Sequence, residues 1–95
     1  MEKNIILKDV TITPITRERI EKKIDNLKKF FDHIVTVDVL LEKDNTRYIA
    51  EIKTHLGHKT IMAKKEAYNL AVAIDDVYKK IKREISEYKT KVRKK

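Results

Sequence analysis

The sequence contains no cysteine, which excludes a disulfide framework and any thiolate metal centre and points to a reducing compartment. A single glycine excludes a glycine-rich phosphate loop. With one proline as well, there is little to break secondary structure and no flexible linker to divide the 95 residues, so one domain spanning residues 1–95 is expected. Tryptophan is absent and apolar runs are only a few residues long. The chain therefore offers no membrane span, and its start, MEKNIILKDV, has no secretory pattern. These absences predict a soluble cytoplasmic protein.

The catalytic inventory is equally thin. His33, His55 and His58 are the only histidines, and HLGH at 55–58 crosses a turn with no third ligand beside it. A zinc site needs three or four converging donors. No nucleophile–base set is recognisable either. The expectation is a non-enzyme with no metal, no cofactor and no small-molecule substrate.

What the chain does have is charge, unevenly placed. Of 23 Lys+Arg and 15 Asp+Glu residues, the last seventeen positions, KKIKREISEYKTKVRKK, hold nine basic and two acidic ones. The remaining 78 residues are nearly balanced, 14 against 13. A concentrated positive field attracts nucleic acid or an anionic surface. A membrane surface ranks below RNA, because the apolar stripe of this segment is needed for the core and lacks the exposed Trp or Phe that anchors such a helix.

Periodicity predicts the elements. NIILKDVTI at 4–12, rich in β-branched residues, reads as a strand, and Thr13-Pro14 as an N-cap with proline in the first helical position. Ile20, Ile24, Leu27 and Phe31 then recur at helical spacing, predicting a helix over 14–31. VTVDVLLEK at 35–43 alternates with Val35, Val37, Val39 and Leu41 inward. RYIAEIKTHL at 47–56 alternates likewise, and KTIMAK at 59–64 supplies a short fourth strand. Asp44-Asn45 and Gly57-His58 mark the turns. From Asn69, Leu70, Ile74, Val77, Ile81, Ile85, Tyr88 and Val92 mark a helix of roughly 25 residues, about 37 Å long. The order βαβββα, with one apolar face per element, predicts an α+β two-layer sandwich: a four-stranded sheet with both helices on one face.

At roughly 100° per residue, the last helix places Lys79, Lys82, Arg83, Lys89 and Arg93 on an arc beside its apolar stripe with no acidic residue, and only Ser86 and Thr90 between them. Lys80 and Lys91 fall on the other flank with Glu84 and Glu87. On the first helix Arg19, Lys22, Lys23 and Lys29 lie opposite the stripe, while the outward sheet face carries Asp38, Glu42 and Glu51. A positive helical layer suits a one-sided binder of a polyanion, its hydroxyls able to donate to phosphates. Phe30 projects off the stripe and is expected to tuck under the following loop, beyond a helix ending at Lys29, rather than to serve as a base-stacking platform. Ile6, Leu40 and Ile49 suggest an apolar row on the open sheet face, through which two copies pair as a weak homodimer.

LKKFFDHI at 27–34, Ala73-Ile74-Asp75, Lys80-x-x-Arg83 and Lys89-x-Lys91, in this order and with Asn4-Ile5, Val10-x-Ile12-Thr13 and Lys23-x-x-x-Leu27 before them, resemble the ribosome hibernation-promoting factor family. That family includes the ribosome-associated translation inhibitors once called sigma-54 modulation proteins. The resemblance implies a double-stranded-RNA-binding-like sandwich that enters the small ribosomal subunit, contacts ribosomal RNA and occupies the channel of messenger RNA and transfer-RNA anticodon ends, silencing idle ribosomes as a monomer. It implies RNA contacts at Lys23, Lys80, Arg83, Lys89 and Lys91, while Lys79, Lys82, Arg93, Lys22 and Arg19 rest on the charge map. Leu7 departs from a common glycine, and Asn69 and Ala71 from a common Asp-x-Tyr. The length resembles the short members of the family, or the N-terminal domain of a long one. A generic duplex-RNA binder and a self-associating interaction domain are the alternative readings.

Overall fold

The computed structural model describes residues 2–93, with side chains described for 2–91. Its elements are β1 (Glu2–Lys8), α1 (Pro14–Phe30), β2 (Thr36–Asp44), β3 (Arg47–His55), β4 (Thr60–Ala67) and α2 (Leu70–Arg93). The sheet order is β1-β2-β3-β4, with β1 parallel to β2 and the other neighbours antiparallel. This is the expected βαβββα sandwich. The 17-residue α1 is the crossover that lets two parallel strands lie side by side.

The core lies between the sheet and both helices. Ile20, Ile24 and Leu27 of α1 meet Val37, Val39 and Leu41 of β2; Ile74, Val77, Ile81 and Ile85 of α2 join the same buried cluster, as do Ile52 and Ile61. Thr54, fully buried among them, is tolerated because its hydroxyl donates to the Ile61 carbonyl at 2.9 Å, across the β3–β4 pair.

The element boundaries depart from periodicity where backbone geometry intervenes. β1 stops at Lys8 rather than residue 12 because Asp9 adopts a left-handed conformation (φ 56°), which ends the extended run. Val10 and Ile12 still pack on the core from the loop. α1 runs through Phe30, and Phe31 turns extended (φ −148°) while its N–H still donates to the Leu27 carbonyl at 2.9 Å. Val35 is 55% exposed, since the bend at Asp32-His33 delivers Ile34 to the core in its place. β4 extends to Ala67, three residues beyond the expected end. Gly57 (φ 88°) occupies the β3–β4 turn, a conformation in which a side chain is strained.

The open face of the sheet carries a polar chain across all four strands. Asn4 donates to one Asp38 carboxylate oxygen at 2.8 Å, His55 Nε2 lies 2.9 Å from the other, and His55 Nδ1 lies 3.1 Å from the Thr60 hydroxyl. A carboxylate only accepts, so His55 Nε2 carries the proton, and in the neutral ring Nδ1 accepts from Thr60. The Asn4 and His55 hydrogen bonds hold the Asp38 carboxyl below the ordinary carboxylate value. A depressed folded-state pKa means stabilisation that is present above the unfolded value and lost as pH falls through the folded one. Asp38→Ala should therefore lower stability by about 1 kcal/mol at pH 7. That deficit should shrink below about pH 4, measured as urea midpoints across pH 7 to 2.

Candidate nucleic-acid interface

The helices that carry the cations are each capped at the N-terminus by a side chain. Thr13 caps α1, its Oγ1 accepting from the Thr16 N–H at 3.1 Å, with Pro14 beginning the helix. Asn69 does the same for α2, its Oδ1 accepting from the Val72 N–H at 3.2 Å, so the departure from a common Asp leaves the cap intact. β4 runs in the same direction as β2, so α1 and α2 return across the sheet in the same sense, and their C-termini share one end of the molecule.

The predicted cations separate into three groups. Lys23, Lys82 and Lys89 line the seam between α1 and α2. Lys23 Nζ is 3.1 Å from Asp75 and 4.8 Å from the centre of the Tyr78 ring. Lys82 Nζ sits between the Tyr78 ring at 5.6 Å and the Phe30 ring at 5.3 Å. Lys89 Nζ lies 4.4 Å from the Phe30 ring and donates to the Phe30 carbonyl at 3.1 Å. The seam is thus a ladder of alternating ammonium groups and aromatic rings. Phe30 is neither beyond the helix end nor an open platform: it remains on α1, half-buried beneath the lysines of α2.

Arg19 and Lys22 on α1, and Lys79 and Arg83 on α2, form the outer group, all exposed. Lys22 makes a solvent-exposed pair with Glu18 at 3.8 Å, a contact of little energetic weight. Lys79, Lys80, Lys82, Arg83 and Lys91 make no ion pair among the described residues. Lys80 and Lys91 form the third group, on the β4 side of α2. Lys80 shares a shallow depression with Lys79, Arg83, Lys65 and Asp76, and Lys91 borders another with Lys59, Glu84 and Glu87. Arg93 ends α2, and its side chain lies outside the described residues.

Several expectations need correction. The first concerns the arc beside the α2 stripe, expected to carry cations alone. It also carries Asp75, one turn before the basic run, and this carboxylate is what Lys23 meets. The Thr90 hydroxyl donates to the Ser86 carbonyl at 3.0 Å, so it serves its own helix rather than an incoming phosphate. On the open sheet face Ile6 pairs with Leu40, but Leu40 faces Glu51 and Ile49 faces Glu42, so the three apolar residues do not form a row. Lys65 was missed. The alternation of Ile61, Ala63 and Lys65 puts it on the helix-bearing face of β4, and that signal was present in the sequence. Among the described residues no group of three or more His, Asp or Glu side chains is placed to hold a metal. No helix there is long and apolar enough to cross a membrane.

The chain is an α+β sandwich whose helical layer carries most of the unpaired cations among the described residues. Residues 4–93 match the sigma 54 modulation protein / S30EA ribosomal protein family, and the chain belongs to that family. It is a family of ribosome-associated proteins, not enzymes. The chain is 31% identical over 93 residues to the ribosome hibernation promoting factor of Klebsiella oxytoca, covering 98% of each protein. It is also 31% identical to the ribosome hibernation promotion factor of Bacillus subtilis, where all of this chain matches only 52% of the relative. Among solved structures, a ribosomal subunit interface protein from Coxiella burnetii superposes with a TM-score of 0.87 at 24% identity, over 95% of this chain and 99% of that one. The N-terminal domain of Thermus thermophilus Protein Y superposes with a TM-score of 0.79, also at 24% identity, over 90% and 94%. At that identity the structural likeness establishes the fold.

The seam and the outer surface should respond differently to truncation. Lys89→Ala removes a cation–π contact and a hydrogen bond to a helix-terminal carbonyl, and should destabilise by about 1–2 kcal/mol. Arg83→Ala, an exposed change, should stay within about 0.5 kcal/mol. Urea denaturation of the two variants checks the division.

Proposed function

We propose that this protein is a ribosome hibernation factor whose 95 residues act as one domain in the cytoplasm, binding the small ribosomal subunit through the cations of α1 and α2. The observation that carries the reading is the band of cations around α2, from Lys82 through Lys79 and Arg83 to Lys80 and Lys91. None of these makes an ion pair among the described residues, on a chain whose family is ribosome-associated. Arg19 and Lys22 extend the band onto α1. Lys89 contributes to the field while holding the helices together, Lys23 holds them through its pair with Asp75, and Arg93 lies on the same arc in sequence.

Bound there as a monomer, the domain occupies the channel that messenger RNA and the anticodon ends of transfer RNA require. Inhibition follows from occupied volume, with no covalent change. The cations neutralise ribosomal-RNA phosphates, and displacement of their condensed counterions supplies the salt-sensitive part of the affinity. The names of the Klebsiella and Bacillus relatives support hibernation as the outcome. The fold shared with a subunit interface protein is consistent with docking on a ribosomal surface.

The test is binding of purified small subunits by co-sedimentation over a series of salt concentrations. Five to seven phosphate contacts give a log–log slope of about −4 to −6. Lys79→Glu with Arg83→Glu should abolish sedimentation at moderate salt while leaving the unfolding midpoint nearly unchanged. Unaltered binding by this variant overturns the assignment. Equal affinity for free duplex RNA and for small subunits would instead identify a general duplex binder.

A further inference from the structure

At the end of the molecule where both helices terminate, the loop after α1, the β3–β4 turn and the last described turns of α2 enclose an open cavity of about 660 Å³. Its walls are fastened. Lys28 Nζ donates to the Asp32 carbonyl at 2.6 Å and to the Ile34 carbonyl at 3.1 Å, fixing the loop. The Leu56 N–H donates to the Lys59 carbonyl at 2.8 Å, closing the turn, and the Tyr88 hydroxyl lies 3.4 Å from His58 Nε2, linking that turn to α2.

The lining combines two chemistries. Phe30, Phe31 and Tyr88 supply aromatic surface, with Phe31 and Tyr88 edge to face at 6.1 Å and His33 tilted against Phe31 at 5.1 Å. Lys29, Lys89 and the imidazoles of His33 and His58 border the same space, against a single carboxylate, Asp32, 3.7 Å from His33. The volume falls within the roughly 300–1,000 Å³ typical of small-molecule sites. Aromatic faces accept a planar heterocycle, and the cationic rim accepts an anion attached to it. A base within a duplex cannot present its face here; an unpaired one can.

We propose that this cavity binds one nucleotide, its base against the Phe31–Tyr88 aromatic wall and its phosphate toward Lys29 and the histidines. The source is either a free nucleoside monophosphate or an unpaired nucleotide of an RNA chain. In the RNA-borne form the inference rests on the ribosome reading; in the free form it does not.

The experiment is an amide chemical-shift titration of the isotope-labelled full chain with adenosine monophosphate, uridine monophosphate, inorganic phosphate, and two RNA hairpins, one with a single unpaired nucleotide and one fully paired. A monophosphate should shift the amides of Phe31, His33, His58 and Tyr88 saturably, and bind about 10-fold tighter than phosphate, which lacks the stacking contribution. Tyr88→Leu should weaken this binding about 10-fold. Lys29→Glu, on an exposed side chain, should weaken it several-fold at low salt and keeps the test valid if Tyr88→Leu does not fold. Lys79→Glu with Arg83→Glu should leave the cavity titration unchanged, so failure of ribosome binding and failure of this site are separable. Cavity shifts with the unpaired hairpin alone support the site and assign its source to RNA. The inference is overturned if neither monophosphate nor the unpaired hairpin moves the cavity amides. It also fails if phosphate matches the monophosphates, or if the shifts survive both cavity variants.

Discussion

Everything this molecule presents to a partner depends on burial of one stripe of α2. Ile74, Val77, Ile81 and Ile85 are sealed against the sheet, and burial of such side chains contributes about 1.5–3 kcal/mol each. The remaining circumference of the same helix carries an excess of cations over Asp75, Asp76, Glu84 and Glu87, and repulsion within that excess opposes compaction. The apolar stripe has to outweigh that repulsion, and in doing so it fixes the rotation of the helix. Once the rotation is fixed, so is the direction in which Lys79, Arg83 and Lys80 project. The binding surface is thus a by-product of core packing: slide or rotate the stripe and the cations turn with it.

This dependence explains how far the sequence could be read. The strand order and the helical layer followed from apolar periodicity, because burial acts on whole elements and leaves a repeating trace. The rotational position of charges on α2 followed for the same reason. What periodicity could not reveal was which of those charges would meet another part of the chain. Lys23 and Lys89 looked equivalent to Arg83 on a helical wheel, yet they face the seam, because the distance and facing of two helices are tertiary properties. Asp75 and Phe30, far apart in sequence from the lysines they engage, are recognisable as partners only after the helices are set side by side. Local geometry hid other features. The left-handed Asp9 ended a strand whose β-branched composition continued to residue 12. Lys65, by contrast, is legible in the alternation of β4, since Ile61, Ala63 and Lys65 share one face of a strand that runs on to Ala67.

The two faces of the slab are chemically unlike, and that difference has a consequence for association. Asp38, Glu42, Glu51 and Glu66 lie on the face away from the helices, where the cross-strand register spreads them over β2, β3 and β4. A polyanion approaching from that side meets these carboxylates interspersed with Lys8, Arg47, Lys53 and Lys64, and from the helical side an excess of cations. Long-range steering therefore orients the molecule before contact, as well as accelerating encounter. The same register separates Ile49 from Ile6 and Leu40 by acidic neighbours, which breaks up what would otherwise be an adhesive apolar row. Hydrogen bonds from Asn4 and His55 hold the Asp38 carboxyl below the ordinary carboxylate value, so its charge outlasts that of an unpartnered aspartate as pH falls.

The proposed function, inhibition by filling space, sets a requirement that an enzyme or a flexible binding tail does not share: the shape must resist deformation by the ligands it excludes. Two helices lying on a sheet make limited contact with each other, and the α1–α2 seam is where such a domain would yield. Here the seam is closed by Lys23 with Asp75, by Lys82 between two rings, and by Lys89 on the Phe30 ring and carbonyl. Lys82 and Lys89 make no ion pair among the described residues, so they stiffen the domain and also add to its field, whereas the charge of Lys23 is met by Asp75. Lysine suits this double use because its long apolar stem packs along the seam while the ammonium group engages the ring faces. On the proposed function, exclusion from a channel and attraction to its phosphate walls would draw on neighbouring side chains of one helical layer. The division between seam and outward cations is a difference in how tightly each one is held rather than in kind.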